Sequence, residues 1–287
     1  MASATPIPAP VRIVIRPRQT WLHFDWRGLI QYRDLLFLLV RRDFVSRYQQ
    51  TVLGPAWFII NPLITTFVYV IFGQVVGIST NGIHPTLFYL SGLFGWTYFS
   101  QIVGGAGNSL HGNVGLFGKV YFPRLVVPLG VILSNLIALG IQFLTFIAVF
   151  TYLVLTNPSV TSRPNETLWA LPLVVLQTAV LGLGVSLVFS SLSAKYRDLQ
   201  QLTPFLMGIW MYGTPIMYPL SKVPEKWRWF WLLNPMTCIT EDFRAMLLGG
   251  IPMPVAQSVL SASISVVLCV LGVLMFQRTA RDFVDYA

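Results

Sequence analysis

Long apolar stretches without charged residues dominate this sequence and restrict the folds that it can adopt. Six of them are long enough to cross a bilayer, because about 20 residues of α-helix span the hydrocarbon core. They cover residues 52–73, 86–107, 125–155, 168–192, 202–220 and 255–276. Only 10% of the 287 residues are charged, whereas about a quarter are charged in soluble domains. The sequence therefore predicts an all-α integral membrane protein with six transmembrane helices.

The residues outside this transmembrane domain, which we place at 51–277, form three segments. Residues 1–20 are polar and proline-rich and predict a mobile cytosolic tail. Residues 278–287 predict a short cytosolic tail after the last span. Residues 21–50 predict an amphipathic interface helix, in which Tyr32, Leu36, Val40, Phe44 and Tyr48 recur at every fourth position. Its apolar face meets either the headgroup region of the membrane or the protein's own cytosolic loops.

Lysine and arginine residues orient the predicted helices. With six spans, both termini lie on one side, and that side holds most of the 19 lysines and arginines. The other side holds only Arg163, Lys222, Lys226, Arg228 and Arg244. The positive-inside rule therefore predicts a multi-pass protein of the cytoplasmic (inner) membrane with both termini in the cytoplasm. The net charge of +9 reflects this orientation rather than nucleic-acid binding, since the sequence has no compact basic domain.

The predicted spans contain none of the residues on which most membrane catalysis and ion coupling depend. They hold no Asp, Glu, Lys, Arg or His, which carriers usually keep at the midplane and which hydrolases need as acids and bases. A Na⁺ site built from backbone carbonyls stays open. The three histidines are scattered and the two cysteines far apart, so neither a metal site nor a disulfide is predicted. We expect a chain that is not an enzyme and that holds no cofactor.

The segment GNVGLFGKV at residues 112–120 only partly resembles a phosphate-binding loop. The motif G-x-x-x-x-G-K-[ST] requires glycine where Asn113 stands and a hydroxyl residue where Val120 follows Lys119. We therefore predict that any nucleotide-driven work needs another subunit, which would bind ATP and Mg²⁺.

Aromatic residues are abundant, and two interpretations stay open for them. They form either a belt at the membrane interface or the wall of an internal path on which sugar rings could stack and slide. If some of them face an internal path, the clusters at 96–99 and 210–218 are the foremost candidates. The candidate channel residues are Trp57, Phe58, Tyr69, Trp96, Tyr98, Phe99, Trp210, Tyr212 and Tyr218.

Five segments, spread over nearly all of residues 30–280, are specific as a set. They are RDLLFLLVRRDFVSRYQQTVLGPAWFIINPL at 33–63, LFGKVYFPRLVVPL at 116–129, SAKYRDL at 193–199, PIMYPLSKVPEKW at 215–227 and LLNPMTCITEDFR at 232–244. Together they resemble the ABC-2 type permeases that export polysaccharides, the transmembrane subunits of O-antigen, capsule and teichoic-acid ABC transporters. The resemblance implies a half-channel that dimerises with itself and docks on two copies of a separate nucleotide-binding ATPase subunit.

The substrate that the resemblance implies is a lipid-linked polysaccharide, with O-antigen of lipopolysaccharide biosynthesis favoured over capsule or teichoic acid. An exporter of small hydrophobic compounds is the alternative within this architecture. A non-transport membrane scaffold or channel is the alternative from a different class.

The resemblance also implies roles for three groups of residues. A coupling helix seated in the ATPase would contain Asn113, Leu116, Phe117, Lys119 and Tyr121. At the cytosolic interface would lie Arg41, Arg42, Arg47 and Tyr48, whose arginines either orient a pyrophosphate-lipid headgroup or only follow the positive-inside rule. Short re-entrant or interfacial gate helices within residues 221–250, before the last span, would include Lys222, Lys226, Trp227, Glu241 and Arg244.

Overall fold

The computed structural model describes residues 30–47, 49–112, 122–196 and 198–286, and the regular structure in these ranges is entirely helical. The predictions for residues 1–20, for Tyr48 and for the coupling residues 113–121 fall outside them. The helices are α1 (Arg33–Ser46), α2 (Trp57–Val76), α3 (Pro85–Gly107), α4 (Ser109–Gly112), α5 (Val126–Thr156), α6 (Leu171–Lys195), α7 (Asp198–Tyr212), α8 (Glu225–Leu233), α9 (Pro235–Leu248) and α10 (Val255–Tyr286). The all-α prediction is confirmed for this part of the chain.

Within the described residues, four helical segments are long and apolar enough to cross a membrane. They are Gly54–Val76, Val126–Thr156, Glu166–Lys195 and Val255–Ala280, and they match four of the six predicted spans. The predicted span 86–107 is a helix, α3, but it is not among the four. The count of six spans is therefore not confirmed.

The predicted span 202–220 is interrupted, because α7 stops at Tyr212. Its 15 residues would measure about 22 Å, which is shorter than the roughly 30 Å hydrocarbon core. Gly213 favours a turn, and Pro215 both lacks an N–H group and disfavours helical geometry at Thr214. The apolar run continues beyond Tyr212, but the helix does not.

Helix α3 lies at the centre of the molecule, where it packs against α2, α5, α6 and α9. Leu87, Phe88, Phe99 and Ile102 are fully buried along its length. The surroundings of α3 are mainly protein, so its sequence tolerates glycine and polar residues that a lipid-facing helix would disfavour. Helix α2, in contrast, is mostly exposed: only 11% of its most apolar stretch of 18 residues is buried.

Helices α6 and α10 are in backbone contact. A Cβ atom built on Gly184 would lie 2.5 Å from the backbone nitrogen of Cys269, and one built on Gly272 would overlap the carbonyl oxygen of Gly184. Small residues at such crossings let two helices approach closely inside a membrane protein. The two glycines therefore allow α10 to lie directly against α6.

The apolar stripe of α1 packs on the protein itself. Leu39 and Val40 are buried, and Leu39 forms a cluster with Phe122 and Val126 at the start of α5. Phe44, from the same stripe, stacks on Phe58 of α2 with ring centroids 5.6 Å apart. Part of this stripe therefore packs at the starts of α2 and α5, and the interface-helix interpretation stays a prediction.

Candidate functional site

A cavity of about 520 Å³ lies between α2, α3, α5 and α7. Aromatic rings line part of its wall: Trp57, Phe58 and Tyr69 from α2, and Trp96 from α3. Neutral hydrogen-bonding side chains line another part: Asn61, Thr65, Thr97, Gln101 and Gln142. Such a wall offers flat apolar faces together with amide and hydroxyl groups, the combination found in sites for polar organic ligands.

Helical periodicity places these side chains on shared faces. Trp57, Asn61 and Thr65 are spaced by four residues along α2, so they lie one above another. On α3, Trp96 and Thr97 lie one turn before Gln101. The Thr65 hydroxyl donates to the Asn61 carbonyl oxygen at 2.8 Å, so its oxygen keeps the capacity to accept a hydrogen bond.

Arg47, just after α1, is the one charged side chain among the described residues that line the cavity. Its Nη1 donates to Oδ1 of Asn135 at 2.5 Å, and the fully buried Asn135 donates in turn to the carbonyl oxygen of Val131. A guanidinium carries five N–H donors, so this anchor leaves most of its donor capacity for a ligand. The structure thus brings a cation to the edge of an otherwise neutral cavity.

The other two arginines predicted at this interface lie elsewhere. Arg41 is exposed, and Arg42 forms an ion pair with Asp43 at 2.9 Å. Neither lines the cavity. The structure therefore separates Arg47 from the neighbours with which the sequence had grouped it.

The predicted channel aromatics divide into two groups. Trp57, Phe58, Tyr69 and Trp96 line the cavity. The others do not: Tyr98, Phe99, Trp210, Tyr212 and Tyr218. The cluster at 96–99 covers a full helical turn, so its members cannot all face one side.

Phe99, from the second group, is fully buried and packs edge-on against Trp210 with centroids 5.1 Å apart. Three cavity residues, Asn61, Gln101 and Gln142, were not predicted from the sequence. The feature that could have identified them is an amide side chain in an otherwise apolar helix.

Asn234 connects the end of α7 to the helices that follow. Its Nδ2 donates to the carbonyl oxygen of Gly213 and to Oγ1 of Thr214, both at 3.0 Å. Its Oδ1 accepts from Nε1 of Trp210 at 2.9 Å and from the first turn of α9, which it caps. The side-chain amide of Asn234 thus forms hydrogen bonds both with the end of α7 and with the start of α9.

Arg244 makes a second connection from α9. Its Nη2 donates to the carbonyl oxygens of Pro215 and Ile216 at 2.9 and 3.4 Å, and its Nη1 pairs with Glu241 at 2.8 Å. The guanidinium carbon lies 3.8 Å from the ring centroid of Phe88. Burial lowers the pKa of Arg244, whereas the Glu241 carboxylate raises it. Burial is the larger effect, so the pairing offsets only part of the cost of burying this charge.

The remaining predicted gate residues lie on the surface. Lys222 and Lys226 are exposed, and Trp227 is 54% exposed with the Lys226 ammonium 5.9 Å from its ring centroid. No residue of α8 is buried. The predicted gate set therefore consists of an internal pair, Glu241 and Arg244, and three exposed residues, Lys222, Lys226 and Trp227.

The predicted coupling segment begins directly after α4. Within α4, Leu110 is fully buried, and Oγ of Ser109 lies 3.3 Å from Oγ of Ser190 on α6. The roles of Asn113, Leu116, Phe117, Lys119 and Tyr121 stay predictions. Among the residues that the structure describes, no three His, Cys, Asp or Glu side chains are grouped as metal ligands.

Sequence comparisons identify similar proteins. A profile of the family described as ABC-2 type transporter matches residues 34–248. The O-antigen export system permease protein RfbA of Myxococcus xanthus is 30% identical over 262 residues, which cover 90% of this chain and 97% of that protein. RfbA of Klebsiella pneumoniae is 29% identical over 256 residues, covering 88% and 94%. The polysialic acid transport protein KpsM of Escherichia coli is 26% identical over 220 residues, covering 76% and 81%.

Proposed function

Because this chain belongs to the ABC-2 type transporter family, we propose that it is the channel-forming subunit of an ATP-driven exporter of a lipid-linked polysaccharide. O-antigen is the favoured cargo, since the relatives that match 88–90% of this chain bear that name, whereas KpsM matches 76%. Capsule and teichoic acid are the alternatives. The working unit in this proposal is a homodimer with two copies of a separate ATPase subunit, in the inner membrane with cytoplasmic termini.

The cavity is the observation that supports a glycan as cargo. Sugars present apolar C–H faces and hydroxyl groups, which match aromatic rings such as Trp57 and Trp96 and amides such as Gln101 and Gln142. A conducting path must bind its substrate weakly enough to release it. Neutral amides and aromatic faces meet that requirement better than a wall of fixed charges. A small hydrophobic compound would leave the amides of this wall without partners.

Arg47 supports the lipid-linked form of the cargo. A guanidinium binds phosphate oxygens through paired N–H donors. The hydrogen bond to Asn135 holds the guanidinium of Arg47 in place. We assign Arg47 the pyrophosphate headgroup, and we assign Arg41 and Arg42 the general attraction of the membrane surface. Phe37 and Leu38, which are 66% and 61% exposed on α1, would enter the headgroup region beside Arg41.

Purification of the full chain from its native membrane tests the transport proposal. We expect an ATPase subunit to copurify and hydrolyse ATP, and we expect undelivered glycan to accumulate inside cells that lack this chain. Absence of ATPase from the purified material would contradict the exporter class. Normal glycan delivery in the deletion strain would leave ATP-driven export of a small compound as the better account.

Arg47→Gln tests the headgroup assignment. Charged hydrogen bonds contribute about 1.5–3 kcal/mol, so we expect a loss of tenfold or more in glycan export. Arg42→Gln is the matched control, because it removes an equal charge from a residue that pairs with Asp43 on the protein surface. Equal export losses in both variants would favour the positive-inside interpretation and contradict the assignment.

A further inference from the structure

The broken end of α7 is held by side chains from elements that follow it in sequence. The last carbonyl groups of a helix have no donor within the helix. Here the carbonyl oxygen of Tyr212 accepts from the Tyr218 hydroxyl at 2.7 Å, and that of Gly213 accepts from Asn234 at 3.0 Å. Trp231 of α8 donates to the Tyr218 hydroxyl at 2.6 Å and extends the chain of bonds.

Asn234 is suited to this position by its side-chain chemistry. An amide has two donors and an acceptor, whereas a carboxylate at neutral pH only accepts. The residue lies between α8 and α9, and its bonds run both back to α7 and forward into α9. Substituting the donor end alone would break the bonds to Gly213 and Thr214, and it would keep the bonds that Oδ1 accepts from Trp210 and from α9.

Arg244 fastens the same turn from another direction. Arg244 is 4% exposed, and a Cβ built on Gly92 of α3 would lie 2.8 Å from Nη2. Because Gly92 has no side chain, the guanidinium of Arg244 has space to donate to the carbonyl oxygens of Pro215 and Ile216. Two side chains, Asn234 and Arg244, thus hold consecutive parts of one turn.

Helix α7 contributes Met211 to the cavity wall. Met211 lines the cavity, and its sulfur lies 3.6 Å from the hydroxyl of Tyr69 on α2. Met211 is only two residues before Gly213, where the first Asn234 bond is made. A displacement of the cavity wall at Met211 would therefore also displace the backbone at Gly213, which lies less than one helical turn away.

We propose that Asn234 and Arg244 are positioning residues that fasten the α8–α9 pair to the broken end of α7. Helix α9 is buried against α3 and α10, so these bonds hold the end of α7, and with it the cavity wall at Met211, on the helical core. This attachment keeps the path closed at rest. This inference rests on the proposed transport function, because it assigns these helices a part in passage. Loosening Asn234 would let the end of α7 move away from α9 and would open a leak.

Asn234→Asp is the variant that tests the fastening. It keeps an oxygen for Trp210 and for the cap of α9, and it replaces the donor that faces Gly213 with an acceptor. Aspartate is also a good N-cap residue, so α9 should still form. Asn157→Asp is the matched control: it makes the same change in charge at a residue whose side chain donates to its neighbour Thr156.

The first measurement is hydrogen–deuterium exchange of the full chain with its ATPase in lipid nanodiscs. With Asn234→Asp we expect about tenfold or faster exchange of the amides in 213–219 and 225–233, and unchanged exchange in α6 and α10. The second is ATP-independent efflux of a trapped fluorescent dye from proteoliposomes, which should rise severalfold. Asn157→Asp should change neither.

Three results would overturn the proposal. Unchanged exchange at 213–219 would show that Asn234 does not hold the turn. Faster exchange everywhere, α6 included, would show general destabilisation. Local loosening without added efflux would show that this attachment does not keep the path closed. If Asn234→Asp does not fold, Trp210→Phe removes one bond to the same side chain, and its exchange at 213–219 must rise about twofold or more. Failure of wild-type glycan export would instead contradict the proposed function.

Discussion

Replacing Gly184 with alanine tests the backbone contact between α6 and α10. The added methyl group would lie 2.5 Å from the nitrogen of Cys269 and 2.6 Å from the carbonyl carbon of Leu268. An ordinary contact for such a group is 3.4–4 Å, so the helices must separate by about 1 Å. The neighbouring atoms belong to a helical backbone and cannot rotate away as a side chain would.

The expected loss of stability follows from two opposing terms. Overpacking a tight contact costs about 1–3 kcal/mol, and backbone neighbours favour the upper part of that range. Replacing a helical glycine with alanine returns about 0.5–1 kcal/mol through the unfolded state. The net loss is therefore about 1–2 kcal/mol. At about 2–4 °C per kcal/mol, the melting temperature should fall by about 2–8 °C.

The two cysteines supply the assay. Cys238 is buried and Cys269 lies at the contact itself, and both are free thiols. A thiol-reactive fluorophore will therefore report thermal unfolding of the detergent-solubilised chain. Gly140→Ala on α5 is the control, because no heavy atom lies within 4 Å of the added methyl group, and its melting temperature should stay or rise slightly. A Gly184→Ala melting temperature equal to that of the control would refute the contact.

Three further predictions address the path and the loops. Phe117→Ala should uncouple ATP hydrolysis from export without unfolding the chain, and wild-type export by this variant would remove the coupling role. Trp96→Ala removes an aromatic face of the cavity and should slow export severalfold, whereas Trp169→Ala, at a residue 76% exposed, should not; equal rates would contradict a role in passage. Gly249→Ala should lower the melting temperature by several degrees, because Gly249 has φ of +80° and a Cβ there would lie 2.7 Å from the carbonyl oxygen of Arg163; an unchanged value would contradict this strain.

The candidate spans could be located from the sequence where lipid is the main neighbour of a helix. Helix α5 occupies Val126–Thr156, against a prediction of 125–155, because an apolar run needs no knowledge of distant residues. The end of α7 could not be located in this way. The run after Tyr212 stays apolar, and its carbonyl groups are held by Asn234 and Arg244, which come some 20–30 residues later.

The site could be predicted only in part, for a related reason. Four of the nine predicted aromatics line the cavity, since an aromatic residue in a span is a visible signal but its direction depends on packing. Arg47 and Arg42 look alike in the sequence. The partner Asn135, 88 positions away, is what gives Arg47 a separate place. Long-range hydrogen bonds of this kind leave no local pattern.

The contact of Gly184 with Gly272 also has a consequence for how the chain is made. Helix α6 ends at Lys195 and α10 begins at Val255, so about 60 residues are translated between them. At about 5–20 residues per second, that interval lasts roughly 3–12 s. During it the glycine face of α6 is already synthesised, but the helix that covers it is not. The tightest helix pair of the finished protein is thus among the last to assemble on the ribosome, and a chain cut short before residue 255 would never form it.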